Sequence, residues 1–411
     1  MIGYNARTGV LEIKNKQDFD TLAWIRCEWE LKLSGKRVSN GKLPVLKTAP
    51  QKVEKIDLKI PTVTVEAGQE AFLNLRFYAA AATGWCKSGH EVGWDQVSIP
   101  AKTRKAARSQ ASRPGIGPLT LDESNGIFTV ENKAFHLVAS AEAGFIEALR
   151  SREHEVLVSG PRLQIWRRPT DNDGIKGWPD EKWRPLNKWR AQGLDKLVVK
   201  TVSAKARRNK DGSIALLFEH MGACAASDEA VRHQHAYIIF PDGRIRADNI
   251  FTIDKAIPDL PRLGVALTLK PGFEKLRWFG RGPFENYSDR NRAALVDLYE
   301  STVTDQYVPY IRPQEHGNHT DVRWLSLRSK SAGLLVEAAG PMEFSASHYT
   351  ALDIDSAYHT YDLSPRAEVI LNLDYRQCGL GTGSCGPGPL EKYKIKPGRY
   401  LWSYSLQPLG T

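Results

Sequence analysis

YIIFPDGRIRAD, Tyr237 to Asp248, is the stretch on which the fold class turns. Tyr237 to Phe240 and Arg244 to Asp248 read as strands, and Pro241-Asp242-Gly243 between them has the chemistry of a hairpin turn. Proline presets one dihedral, aspartate bonds its own backbone, and glycine accepts a positive φ. The same grammar of short apolar runs broken by turn residues continues on both sides. Ile127 to Val130, Phe135 to Ser140, Gly144 to Leu149 and Ile214 to His220 read as strands, with Asn125-Gly126 and Asp211-Gly212 as turns. Residues 321 to 338, 367 to 375 and 398 to 406 alternate again. The one helix expected is Glu181 to Gln192, whose Trp183, Leu186, Trp189 and Arg190 fall at helical spacing before Gly193. Strands never alternate with helices, so a (β/α)8 barrel is excluded and a large antiparallel sandwich of two broad sheets is expected.

Toward the N-terminus the strands are Leu11 to Lys14, Trp24 to Leu33, Val53 to Leu58 and Ala71 to Tyr78, with turns at Ser34-Gly35 and Asn40-Gly41. From Cys27 to Leu33 apolar and charged residues alternate, which buries one face and solvates the other. About ninety residues of this kind predict an immunoglobulin-like sandwich. The expected division is a first domain over 1–105, a basic linker over 106–117 and the large sandwich over 118–411.

The 411 residues carry a net charge of +10, which invites a nucleic-acid reading. Lys102, Arg104, Lys105, Arg108 and Arg113, five of those ten charges, lie in one Ser/Pro/Gly-rich stretch, so the charge marks a solvated linker. No finger, helix-turn-helix or RNP pattern accompanies it, and no nucleic-acid partner is expected. No run approaches the ~20 apolar residues of a membrane helix, and MIGYNARTGVLEIK lacks a signal's apolar region. The expectation is a cytoplasmic protein without a membrane partner. Five cysteines without zinc-site or scaffold spacing predict reduced thiols.

Candidate sites are few. In QCGLGTGSCGPGP, Gln377 to Pro389, glycines and prolines shape a loop at a strand end. It lacks the lysine and Ser/Thr pair of a phosphate loop, and Cys385 as a nucleophile would need a base and an orienting group. In RRPTDNDG, Arg167 to Gly174, Asp171 and Asp173 fall short of a calcium shell, and a self-bonded Asx-rich turn is expected. Trp166, Trp178, Trp183 and Trp189 around it fit a sugar ring as well as they fit a core. In WFGRGPFENYSDR, Trp278 to Arg290, Arg281, Glu285, Asp289 and Arg290 read as an ion-pair corner; as a hydrolase pair, Glu285 and Asp289 would need a fixed separation across a sugar. Glu315-His316-Gly317-Asn318-His319 is a turn rather than a helical metal pair, because Pro313 and Gly317 interrupt it. His233 and His235 can share one face of a strand, with His220 on another; hydrogen-bonded surface histidines are expected there, and no metal.

TGWCKSGHEVGWDQ at 83–96, RRPTDNDG at 167–174, WFGRGPFENYSDR at 278–290, YVPYIRPQEHGNHTDVRW at 307–324 and GLGTGSCGPGP at 379–389 together, in this order, resemble the C-terminal part of the glycoside hydrolase family 2 β-galactosidases. The resemblance implies a second immunoglobulin-like domain followed by the small-chain domain, a supersandwich of galactose mutarotase-like fold. It implies that the jelly-roll, the first immunoglobulin-like domain and the barrel lie elsewhere, in the same longer chain or in a partner subunit. The barrel carries both catalytic glutamates and the Mg2+ site, so no residue here is expected to be catalytic and no cofactor is expected on this chain. By resemblance, the substrate-binding residues are Gly383, Ser384 and Cys385 on the loop, and Asp171, Asn172, Asp173 and Gly174 at the pocket mouth. Cys385 stands where many members carry a stacking tryptophan, and Glu315-His316 where they carry Glu-Asn. The resemblance further implies an oligomer acting on galactosides. Two other readings are a stand-alone carbohydrate-binding module and a mutarotase-like epimerase, the latter needing His348, His359 and Glu343 to converge.

Overall fold

A computed structural model describes residues 2–66, 68–100, 102–104, 117–175 and 180–410. The chain forms two compact units, Met1–Gln110 and Ala111–Thr411. The expected basic linker, apart from Gly117, and Trp178 lie outside the described residues.

In the first unit, Ile2–Asn5, Val10–Lys14 and Val53–Asp57 make a three-stranded sheet, and Lys36–Lys42, Ile25–Leu33, Ala71–Ala79 and Glu91–Ile99 a four-stranded one, in those orders. A short parallel pair joins Thr64–Glu66 to Lys102–Arg104. Leu11, Ile13, Cys27, Trp29, Leu31, Leu73 and Leu75 belong to one core, as the alternation requires. Ser34 and Gly35 turn the chain with φ of 44° and 84°. Asn40 and Gly41, expected as a turn, sit inside a strand instead. The reason lies across the ladder: Gly41 pairs with Trp29, and a Cβ there would stand 2.8 Å from the indole. This glycine clears space for a ring.

In the second unit, sixteen antiparallel strands are hydrogen-bonded into one network, where two broad sheets were expected. The hairpin that opened the sequence is present, Ser227–Ile239 pairing with Ile245–Ile253, and Gly243 takes φ 82°. The stretch 321–338 holds two strands, His319–Arg328 and Gly333–Ser347, folded back on each other. Among the described residues the α-helices are Pro185–Ala191 and Ala351–Ser356, so no (β/α)8 arrangement exists there. The first begins later than expected, because Pro185 lacks an amide hydrogen and fits the first helical position. Glu181 instead forms an ion pair with Arg184, at 2.6 Å. Gly193, at φ 75°, follows the C-cap. Helix Ala351–Ser356 was not foreseen; Thr350 and Asp353 cap it reciprocally. Among the described residues no helix is long and apolar enough to cross a membrane. All five cysteines are free thiols.

Candidate functional site: a glycine loop clamped by carboxylates and an asparagine

The loop after strand Val369–Gln377 is fastened residue by residue. Cys378 N–H donates to Pro261 O at 3.0 Å and Gly379 N–H to Tyr393 O at 2.9 Å. The next two amides, Leu380 and Gly381, donate to the two oxygens of Asp289 at 3.0 and 2.7 Å. Glycine is required for this approach, since a Cβ on Gly379 would lie 2.7 Å from Asp289 Oδ2. Farther along, Thr382 closes the loop on itself, accepting from the amides of Cys385 and Gly386 and donating to Pro387 O. Charge-assisted bonds to Asp289 hold the stem, and local turns shape the tip.

The turn at 170–174 meets this loop directly. Asn172 Nδ2 donates to Gly381 O at 2.9 Å, while its Oδ1 accepts from Ser384 N–H at 3.1 Å and Ser384 Oγ at 2.7 Å. Gly383 packs so closely on Asn172 that a Cβ would come 2.3 Å from its carbonyl. Arg184 NH1 adds a bond to Gly383 O at 3.0 Å. Asp173 folds back on Thr170, accepting from its amide at 2.9 Å and its hydroxyl at 3.0 Å, which is the expected self-bonded turn. Gly174, at φ 112°, leaves room for Arg184.

Behind the turn, Asp173 receives both oxygens' bonds from Arg167 NH2, at 2.9 and 3.0 Å, and Arg167 also donates to Cys378 O. Both charged side chains are buried, so each neutralises the other's desolvation cost. A second buried group continues underneath. Arg262 bonds Asp374 at 3.1 Å and Glu315 at 3.1 Å, and Glu315 also accepts the amide of Arg168. Asn318 donates to Glu343 at 3.0 Å and accepts from Gln377 Nε2 at 3.0 Å. Glu343 stands opposite Asp374 in the strand register. Burial, then the charge of Asp374, pushes the Glu343 carboxyl up to about 8. Burial also raises Asp374, to about 7, against the pull of Arg262.

Of the expected site residues, Asp173, Gly174 and Gly383 are buried and structural, Asp171 and Asn172 are half-buried, and Ser384 and Cys385 are exposed at the tip. Between the loop and helix Pro185–Ala191 lies a pocket of about 230 Å³ lined by Trp183, Lys188, Asp259, Gly383, Pro389 and Lys394. Trp189, by contrast, is core. Glu285 and Asp289 line one pocket with Arg290 and Tyr310, but each carboxylate is already engaged: Asp289 clamps the loop, while Glu285 accepts from Tyr310, from Gly317 N–H at 2.9 Å and from Arg290 at 3.2 Å. Arg281 pairs with Asp321, outside the expected corner. The epimerase triad does not assemble either. His348 bonds Glu274 at 3.0 Å, His359 stacks on Tyr361 in an exposed turn, and Glu343 is buried against Asn318. Glu315 and His316 lie in irregular backbone, as the interrupting Pro313 and Gly317 imply. Sequence reasoning missed Arg262, Asp374 and Gln377; the available signal was a carboxylate inside the otherwise apolar run VILNLD.

Two units of antiparallel strand, the second presenting a clamped glycine loop, define a two-domain all-β protein. Residues 131–406 match the family described as β-galactosidase small chain, and residues 11–100 match β-galactosidase domain 4. The chain belongs to the β-galactosidase small-chain family. A β-galactosidase of Priestia megaterium is 27% identical over 98% of this chain but only 38% of its own length. One of Kluyveromyces lactis is 26% identical over 79% of this chain and 31% of its own. The chain therefore spans well under half the length of these relatives. Among solved structures, a galactose 1-epimerase of Lactobacillus acidophilus covers 72% of this chain at 8% identity with a TM-score of 0.37.

Proposed function

We propose that this chain is the C-terminal portion or small subunit of a β-galactosidase, and that its loop at 382–388 forms one wall of a pocket whose catalytic glutamates come from a barrel domain. The observation that carries this reading is the asymmetry of the loop. Asp289, Asn172 and Arg184 bind it from Leu380 to Ser384, while Ser384 and Cys385 remain exposed at the tip. A rigid exposed tip on a packed scaffold suits contact with something supplied from outside.

The carboxylates beside the loop support the same division of labour. Asp173 and Asp289 are each engaged by two or more donors that position backbone. Retaining hydrolysis of a terminal β-D-galactoside needs two carboxyl groups about 5–5.5 Å apart across the sugar, one as acid/base and one as nucleophile. In this reading the barrel provides both, along with the Mg2+ site, and this chain provides backbone and Ser384 at the rim. The partner is a barrel-containing segment of the same longer chain or a separate large subunit, working in the cytoplasm as an oligomer.

Cys385→Trp tests the contact in the assembled enzyme. An indole there stacks on the sugar, and the KM for a chromogenic galactoside falls about two- to tenfold, the range of an aromatic contact. An unchanged KM and kcat means that the tip does not reach the substrate.

A further inference from the structure

His220, His233 and His235 were expected on a wet surface. All three are buried, and they converge. His233 and His235 project from alternate positions of strand Ser227–Ile239, while His220 lies directly across the ladder from His233. The ring centroids of His233 and His235 are 4.5 Å apart and those of His220 and His235 5.0 Å. One nitrogen from each ring falls within 4.8 Å of the other two.

The hydrogen bonding is lopsided in a way that points at an ion. Asn249 donates its amide to Trp402 O at 3.3 Å, which turns its Oδ1 toward His233 Nε2 at 3.0 Å. His233 therefore carries its proton on Nε2, and its Nδ1 lone pair is left without a partner. Nδ1 of His220 is likewise buried and unpartnered, and His235 has one nitrogen against the backbone of Gly144 and the other without a partner. Buried polar nitrogens without partners are costly, and three in one cluster call for a ligand. Burial holds these imidazoles neutral, the form that donates a lone pair, with His233 pushed down to about 3.

We propose that His220, His233 and His235 form a site for one divalent transition-metal ion of the zinc class, with a fourth position open on the His220 side. Three imidazoles and an open position are a recognised zinc donor set, and nitrogen-only donors disfavour magnesium and calcium. Tetrahedral coordination at about 2.0–2.1 Å places the nitrogens roughly 3.3 Å apart, so the rings close by at most about 1.5 Å. Asn249 is the outer partner that fixes one ligand's tautomer. His220, alone of the three, also lines a pocket of about 580 Å³ with Glu142, Thr201 and Lys200, the side from which an ion would enter. Gly144 makes the packing possible, because a Cβ there would lie 2.1 Å from His220 Nε2. None of these groups belongs to the loop site.

The test uses the full chain stripped with a chelator and titrated with Co2+ and Zn2+. The expected result is one equivalent bound, with the visible bands of four-coordinate Co2+ and a Zn2+-dependent rise in Tm. Both signals disappear in His235→Phe and in His220→Gln, and Asn249→Ala weakens Zn2+ about 10- to 100-fold. His136→Gln, a change on another strand, leaves them intact. Should His235→Phe fail to fold, the His220→Gln and Asn249→Ala titrations still decide. No Co2+ bands in the unaltered chain, or one-equivalent binding that survives both ligand changes, overturns the proposal.

Discussion

The network beneath the glycine loop and the histidine cluster are both buried, polar and in the same unit, yet they are held together differently. In the network, charges find opposite charges and amides find carboxylates: Arg167 with Asp173, Arg262 with Asp374 and Glu315, and Asn318 between Glu343 and Gln377. In the cluster, three ring nitrogens have no partner and no charge answers another, whereas the atoms left over in the network, Arg167 Nε, Asp374 Oδ1 and Gln377 Oε1 among them, belong to side chains held by other bonds. Paired charges rigidify what stands on them, whereas neutral rings with unanswered lone pairs mark a place where something can bind. The loop is thus built to present itself to another molecule. The histidines are built to receive one.

If paired charges hold the network, cutting it is expensive. Asp173→Ala leaves Arg167 buried without its counter-charge and removes the acceptor of Thr170's amide and hydroxyl, so denaturant titration should give a loss of about 3–5 kcal/mol. A loss under about 1 kcal/mol would mean that the pair is not what holds the turn. Next in size is a pH effect. Glu343 is raised above its unfolded value, so its contribution is fully present below about pH 4.5 and is lost as pH climbs toward about 8. Stability should fall on the order of a few kcal/mol between those limits, and Glu343→Gln, which cannot ionise, should leave Tm less steep against pH there, the remaining slope belonging to Asp374. An equally steep profile in that variant would place the proton elsewhere. The smallest effect is on the other side of the comparison. In chelator-treated protein, His235→Phe removes one unpartnered nitrogen and one backbone contact with Gly144 and keeps a ring beside Phe218 and Tyr237, so the cost should stay within about 1.5 kcal/mol. A larger metal-free loss would show that the imidazoles are already satisfied.

Much of this was legible from residues alone. Pro241-Asp242-Gly243 and Ser34-Gly35 are local turn chemistry, and local chemistry needs no tertiary knowledge. The strand alternation of Cys27 to Leu33 likewise announced its buried face. Asn40-Gly41 misled because its glycine answers to Trp29 across the ladder rather than to its own backbone. The same limit hid how the site is assembled. Asn172 and Gly381 are 209 residues apart, and nothing local in either says that they bond. Asp289 was visible as a carboxylate near a corner, but its role as the clamp of two loop amides exists only in three dimensions. For the histidines, the His-x-His spacing was plain, while burial and the register that sets His220 opposite His233 were not.

The central claim is that this chain shapes a pocket it does not catalyse in. The direct measurement is turnover of a chromogenic β-galactoside by the purified chain, alone and then mixed with a barrel-containing large fragment. The account predicts no turnover by the chain alone and turnover in the mixture above that of the large fragment by itself. Turnover by the chain alone, abolished by a substitution within it, would contradict the account.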